Sequence, residues 1–259
     1  MDLGLRGRSA VVTASSAGLG FACAAQLAAA GATVVINGRT ERTLSDAAER
    51  LRGETGSEVR TVAGDVADPG VQRALIEAAG QVDILVNNNG GPPFRDFREV
   101  DREALLAGVT ANMAAPIELV QRVIDGMIER RFGRIVNITS FSVKMPIAGL
   151  DLSSAARVGL TGFLAGVARD VAHANVTINF MMPGYFGTDR LTSLHAREAA
   201  ERGIPLGEVA AEAAAGIPAR RFGKPEEFGA ACAFLCSQHA GYITGQSLLL
   251  DGGAYPGIL

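Results

Sequence analysis

The sequence predicts a doubly wound α/β fold built on one parallel sheet, and three observations carry that reading. Short β-branched runs alternate with helix-patterned segments along the whole chain. One of these runs, 82–86, is apolar almost without a break, as in a parallel strand covered on both faces. The first run, Ala10, Val11 and Val12, leads into the turn Thr13, Ala14, Ser15, Ser16, Ala17, Gly18, Leu19, Gly20, which opens an Ala-rich helix ending at Gly31. An uncapped helix N-terminus has free N–H groups and a partial positive charge, so it attracts phosphate. Glycine there removes the Cβ that would keep a diphosphate off the backbone.

The elements follow in order. Residues 33–36 form a second strand that ends in Asn37, Gly38, Arg39 and Thr40. A helix over 40–51 starts at Thr40 and aligns Leu44, Ala47, Ala48 and Leu51 on one face. Strand 58–63 ends in Gly64, Asp65 and Val66, and helix 71–79 leads to strand 82–86. After that strand come Asn87, Asn88, Asn89 and Gly90, then the stiff loop Gly91, Pro92, Pro93 and Phe94. One long helix is expected over 102–131, then a strand over 133–138 ending at Thr139 and Ser140. Helix 153–173, strand 176–181 with Pro183 and Gly184 behind it, a polar helical stretch 188–217, helix 225–236 and a final strand 247–250 complete the chain. In such sheets the ligand crevice lies beyond the carboxyl ends of the strands.

The 259 residues contain no linker, repeat or low-complexity tract, so a single domain over 1–259 is expected. A net charge of −3 excludes the basic footprint of a nucleic-acid binder. The N-terminus has no apolar signal core, and the apolar stretch 21–36 changes from helical to strand pattern, so neither secretion nor a membrane span is expected. Cys23, Cys232 and Cys236 sit in apolar helical surroundings and read as buried thiols of a reducing cytoplasm. No metal-ligand cluster is expected.

Nearly end to end, the pattern resembles the short-chain dehydrogenase/reductase family, whose domain is Rossmann-type. The glycine turn resembles the family's Thr-Gly-x-x-x-Gly-x-Gly, with Ala14 in the first glycine's place. Asp65 and Val66 match its adenine-contacting pair, and Asn87, Asn88, Asn89 and Gly90 match Asn-Asn-Ala-Gly. Asn112 falls at its helix asparagine, Ser140 at its catalytic serine, and Pro183, Gly184 and Thr188 at the stretch that holds the nicotinamide carboxamide. The segment from Ala219 to Glu227, with Asp251, Gly252 and Gly253, resembles 3-oxoacyl-carrier-protein reductases. The resemblance implies a seven-stranded sheet ordered 3-2-1-4-5-6-7 and cofactor contacts from Thr13, Ser15, Ser16, Gly18, Leu19, Gly20, Asn88, Asn89 and Gly90. It also implies a homotetramer, paired through the 102–131 and 153–172 helices and joined by the apolar tail 254–259. Gly159, Gly162 and Gly166 make one face of the second helix smooth.

The chain breaks the family pattern at its centre. Thirteen residues after Ser140, where the family carries Tyr-x-x-x-Lys, stand Ser153 and Arg157. In the family the tyrosine exchanges a proton with the carbonyl oxygen, while the lysine lowers its pKa and binds ribose. Serine is a far weaker acid than phenol. Arg157 lies one turn beyond Ser153 on the same face, keeps a positive charge, and is expected to hold the cofactor's ribose hydroxyls or an oxyanion. Three groups are candidates to replace the acid: Lys144, if its loop desolvates it; Tyr185, behind Pro183 and Gly184; and Asp151, at the start of the helix. Lys144 acting with Ser140 is the leading expectation, with Asn112 holding the helix and a water.

No acid ends the second strand, so Arg39, supported by Asn37 and Thr40, is expected to pair with the 2′-phosphate of NADP, with NAD the alternative. The expected function is NADP-dependent oxidoreduction of a small carbonyl or secondary alcohol beneath a lid at about 188–217. Lys144, Arg157 and His195 favour an anionic substrate. Two other readings stay open: a redox-inactive cofactor-binding sensor or structural member, and non-redox chemistry on the same fold.

Overall fold

The computed structural model describes residues 1–91 and 94–257. Seven strands form one parallel sheet: β1 (Ser9–Val12), β2 (Thr33–Gly38), β3 (Val59–Ala63), β4 (Ile84–Asn87), β5 (Gly133–Ile138), β6 (Val176–Pro183) and β7 (Ser247–Leu250). Their order, β3-β2-β1-β4-β5-β6-β7, is the expected one. The order reverses beside β1, so the crevice opens between the carboxyl ends of β1 and β4.

Helices cover both faces, and the pleat of the strands divides the core between them. Ala10 and Val12 of β1, with Val34 and Ile36 of β2, pack on α1 (Gly18–Ala29), α2 (Glu41–Thr55) and α9 (Pro225–Cys236). Val11 and Val35 point the other way, on to α3 (Pro69–Ala79), α5 (Ala115–Glu129) and α6 (Asp151–Val171). Two further helices, α7 (Asp189–Arg202) and α8 (Leu206–Gly216), occupy the expected lid segment.

Several boundaries differ from expectation. Helix α2 runs past residue 51 to Thr55, where Gly56 stops it with a φ of 68°. Thr40 is its N-cap residue, yet its side chain makes no capping bond. Helix α3 begins earlier, at Pro69, because Asp68 caps it by accepting from Gly70 N–H. The single helix expected over 102–131 is two, α4 (Arg102–Val109) and α5, joined by a widened turn over Thr110–Ala114 in which Ala115 N–H reaches Thr110 O. Pro116, which has no N–H to offer the preceding turn, follows that widening. The segment is apolar enough to pass for a membrane span by composition. Here, however, Leu119, Val120, Val123 and Met127 of α5 are buried in the core on one face of the sheet.

Candidate active site

The first turn and its neighbours are tied together by buried side chains. Thr13 Oγ1 donates to Asn88 O at 2.6 Å and accepts from Asn88 N–H at 2.8 Å, while Asn88 Nδ2 donates to Ala14 O at 2.9 Å. Ser15 Oγ donates to Val12 O at 2.6 Å and accepts from Asn37 N–H at 3.1 Å. Asn37 Oδ1 accepts from Ala14 N–H, and its Nδ2 donates to Val62 O and Gly64 O. These bonds engage three side chains of the expected cofactor set. The side chains of Thr13, Ser15 and Asn37 are spent on joining strand ends, because a buried polar group left unpaired is costly. The Val66 side chain lies in the core, which leaves only its main chain to face the crevice.

What remains at the turn suits an anion. Helix α1 starts without a side-chain cap and without an acid in its first turn, which leaves the N–H groups at Gly18, Leu19 and Gly20 available. A Cβ on Gly20 would sit 2.5 Å from Ala14 O and 2.7 Å from Asn88 Nδ2, so only glycine fits there. Ala14 takes a φ of 44°, a left-handed conformation that glycine adopts without strain. Across the cleft, the place of a Gly18 Cβ lies 3.9 Å from the Thr188 methyl. Arg39 and Thr40 are exposed at the end of β2, and Arg39 forms no ion pair among the described residues. Asp65 is exposed, and its carboxylate accepts from Ala67 N–H.

Ser140 ends the β5 segment, with its Oγ accepting from Ser142 N–H at 3.1 Å and from Ser142 Oγ–H at 2.9 Å. On α6, Arg157 Nε donates to Ser153 Oγ at 3.1 Å. Arg157 Nη1 reaches back to Ile138 O at 2.7 Å, and Nη2 to Asn89 O at 3.4 Å. This one side chain therefore joins α6 to the ends of β4 and β5. Only 7% of Arg157 is exposed. Burial, reinforced by the neighbouring Arg190 charge, pulls its pKa down to about 10, so it stays cationic at neutral pH.

The other candidate acids are placed differently. Lys144 is exposed, with its ammonium 5.4 Å from the centre of the Tyr255 ring, so the desolvation expected of it is not found. Tyr185 is partly exposed, its ring tilted against Phe141 at 6.4 Å. Asp151 is exposed in the first turn of α6. His195 is 5% exposed and packs on Phe222, which accounts for it as a lid-core residue. Asn112 lies in the widened turn before α5. Its Nδ2 donates to Gly108 O, and its buried Oδ1 has no partner among the described residues. Asn112 and Gly90 line a cavity of about 270 Å³ with Arg95, Gly149 and Asp151 at its sides. Pro92 and Pro93 of the expected substrate loop, and Ile258 and Leu259 of the tail, lie outside the described residues.

Sequence reasoning missed Arg190. Its guanidinium packs over Gly91, 3.0 Å from where a Cβ would stand, and its charge acts on Arg157. Nothing local marks it, because an exposed arginine in a helix is ordinary until the fold sets it opposite a second cation.

Comparison with known proteins agrees with this frame. Residues 13–255 match the family model described as Enoyl-(Acyl carrier protein) reductase. The 3-oxoacyl-(acyl-carrier-protein) reductase of Vibrio cholerae is 34% identical over 257 residues, which cover 98% of this chain and 99% of that one. The crystal structure of L-sorbose reductase from Gluconobacter frateurii, complexed with NADPH and L-sorbose, superposes with a TM-score of 0.95 at 30% identity and covers all of both chains. A solved short-chain dehydrogenase/reductase family protein gives a TM-score of 0.85 at 31% identity, over 99% of this chain and 100% of its own. With its seven-stranded parallel sheet, its glycine turn and its Ser140 strand end, the chain belongs to the short-chain dehydrogenase/reductase family, among relatives similar to 3-oxoacyl-(acyl-carrier-protein) reductases.

Proposed function

We propose that this protein is an NADP-dependent oxidoreductase that interconverts a small carbonyl compound and its secondary alcohol, using a serine–arginine pair at its catalytic helix. The observation that carries the reading is the 3.1 Å bond from Arg157 Nε–H to Ser153 Oγ, with both groups buried. A hydroxyl whose oxygen already accepts from a cation turns its own proton outward and becomes a stronger donor. Ser142 occupies the oxygen of Ser140 in the same way.

When bound, NADPH supplies the hydride. The N–H groups of Gly18, Leu19 and Gly20 suit its diphosphate, with Ser16 beside them, and Arg39 and Thr40 suit a 2′-phosphate; NAD is the alternative where that phosphate is absent. Asp65, the Val66 backbone, Asn89, Gly90, Pro183, Gly184 and Thr188 complete the cofactor set. Ser140 and Ser153 donate to the substrate oxygen, and the Arg157 charge stabilises the alkoxide that develops there. No hydroxyl here is an acid at neutral pH, so Ser153 relays a proton that solvent replaces. Asn112 holds the turn beside this path. Tyr185 borders the substrate, and Lys144 is a cation at the mouth. The relatives named for L-sorbose and 3-oxoacyl groups support a ketone as the substrate class.

The lid at about 188–217 closes the site, in this reading. A homotetramer is supported by the exposed apolar side chains Leu105, Leu106, Val158 and Phe163 on α4 and α6, and by the open space in front of Gly162 and Gly166. Gly159 is not part of that face, because a Cβ there would meet Met113 Sδ at 2.8 Å. Three free, buried cysteines fit a cytoplasmic protein.

The test is NADPH oxidation against a panel of ketones, with Ser153→Ala and Tyr185→Phe alongside. Ser153→Ala is expected to lose about a hundredfold in kcat, as for removal of one oxyanion donor, and Tyr185→Phe far less. A Ser153→Ala protein at near-normal rate overturns the mechanism. One observation favours a redox-inactive role instead: Arg157 bonds the main chain at Ile138 and Asn89, as a structural brace would. Tight NADPH binding with no turnover of any ketone selects that role.

A further inference from the structure

We infer that Arg190 and Arg157 together form an anion subsite, and that the substrate of this enzyme carries a carboxylate, or a group of like charge, beside its reacting carbonyl. The inference rests on the oxidoreductase reading and narrows its substrate.

Two guanidinium groups reach the same loop from two different helices. Arg157 donates to Asn89 O from α6, and Arg190 lies over Gly91 from the first turn of α7. They are close enough for Arg190 to disfavour the charge on Arg157. Neither is paired with a carboxylate among the described residues: the three bonds of Arg157 all go to neutral oxygens, and Asp189, adjacent to Arg190, makes no ion pair with it. The N-terminal end of a helix is also the wrong end for a cation. A buried cation without a counter-ion, facing a second cation at a positive helix end, is unfavourable in the empty protein. An anion held between the two removes all three penalties at once. Arginine presents parallel N–H groups that match a carboxylate or a phosphate, which lysine cannot do.

Two sources have this chemistry: the substrate, and the nicotinamide-side phosphate of the cofactor. The substrate is favoured because Arg157 is bonded to Ser153, on the catalytic helix face, and the N–H groups of α1 already suit the diphosphate.

The experiment measures binding, so it does not depend on turnover. The NADPH-loaded protein is titrated with acetoacetate, 2-oxobutyrate and levulinate and with the methyl ester of each, using wild type, Arg190→Met and Arg190→Lys. NADPH affinity is measured separately for all three proteins. We expect at least one acid to bind wild type about tenfold or more tightly than its ester, as for one charge-assisted pair. Arg190→Met should abolish that preference, Arg190→Lys should keep only part of it, and NADPH affinity should change less than threefold. The ligand-free Arg190→Met protein should also melt higher than wild type, since a repulsion is gone. If no acid outbinds its ester, the inference is overturned. It is equally overturned if Arg190→Met leaves the preference intact and weakens NADPH tenfold, because Arg190 then serves the cofactor. Failure of the oxidoreductase reading shows separately, as acid binding without NADPH oxidation.

Discussion

Arg157→Met separates a catalytic charge from a structural brace. Its pKa falls from the ordinary guanidinium range to about 10 in the fold, so holding the charge inside costs about 3 kcal/mol at neutral pH. Methionine fills much of the same volume and carries no charge, so that cost disappears. Against it stand the three lost hydrogen bonds, which leave Ile138 O and Ser153 Oγ without this donor, at about 1–3 kcal/mol each. The three losses together exceed or match the gain, so the variant is expected to lose between about 0 and 6 kcal/mol of stability, with Tm falling by roughly 2–4 °C for each kcal/mol. Turnover should behave differently, falling by about 10² to 10³ as when an oxyanion donor is removed. The pH profile gives a second readout. The folded pKa lies below the unfolded one, so stability rises with pH from about 10 up to the ordinary guanidinium range, while the charge that serves the site is lost above about 10. Wild-type kcat should therefore decline as pH rises through about 10, a limb absent from Arg157→Met. The assays are thermal melting and NADPH oxidation on the same preparations. A variant that loses more than about 6 kcal/mol of stability would make Arg157 a brace, and one with near-normal kcat would remove its charge from the mechanism.

Three further outcomes are expected. Arg39→Asp places a carboxylate at the end of β2, where Arg39 is exposed and makes no ion pair among the described residues. NADP affinity should fall roughly ten- to a hundredfold and NAD affinity should rise, as read by titrating both nucleotides; an unchanged ratio refutes the assignment. Ala14→Gly relieves a left-handed residue at a φ of 44° and should raise stability by about 0.5–1 kcal/mol in denaturant melts, whereas a loss would show that the turn is not strained. Lys144→Met changes an exposed side chain lying over Tyr255, so kcat should fall less than about fivefold; a hundredfold loss would restore Lys144 as the general acid.

The sheet, its order through family resemblance, and the place of the crevice were legible in the residues alone. Each strand is a short run such as Val34, Val35 and Ile36, each helix a periodic stretch such as that containing Leu44, Ala47, Ala48 and Leu51, and each is recognisable from its own residues. The turn ending at Gly20 was legible for the same reason, because only a residue without a Cβ fits under Asn88. The replacement of tyrosine and lysine by Ser153 and Arg157 was legible by counting from Ser140. The roles of the polar residues were decided only by tertiary structure. Asn37 looked like a cofactor ligand, and in the fold the ends of β1, β2 and β3 meet around it and engage its Oδ1 and its Nδ2. Lys144 looked desolvated and is exposed, while Arg157 looked like a ribose anchor and also bonds Ile138 and Asn89. Asn89 is 68 residues away from Arg157 along the chain. Helix and strand patterns depend on neighbours within a turn or two, whereas burial, pairing and charge depend on whichever distant segments fold against a side chain. The meeting of Arg190 with Arg157 over one loop is such a case, and only the folded chain contains it.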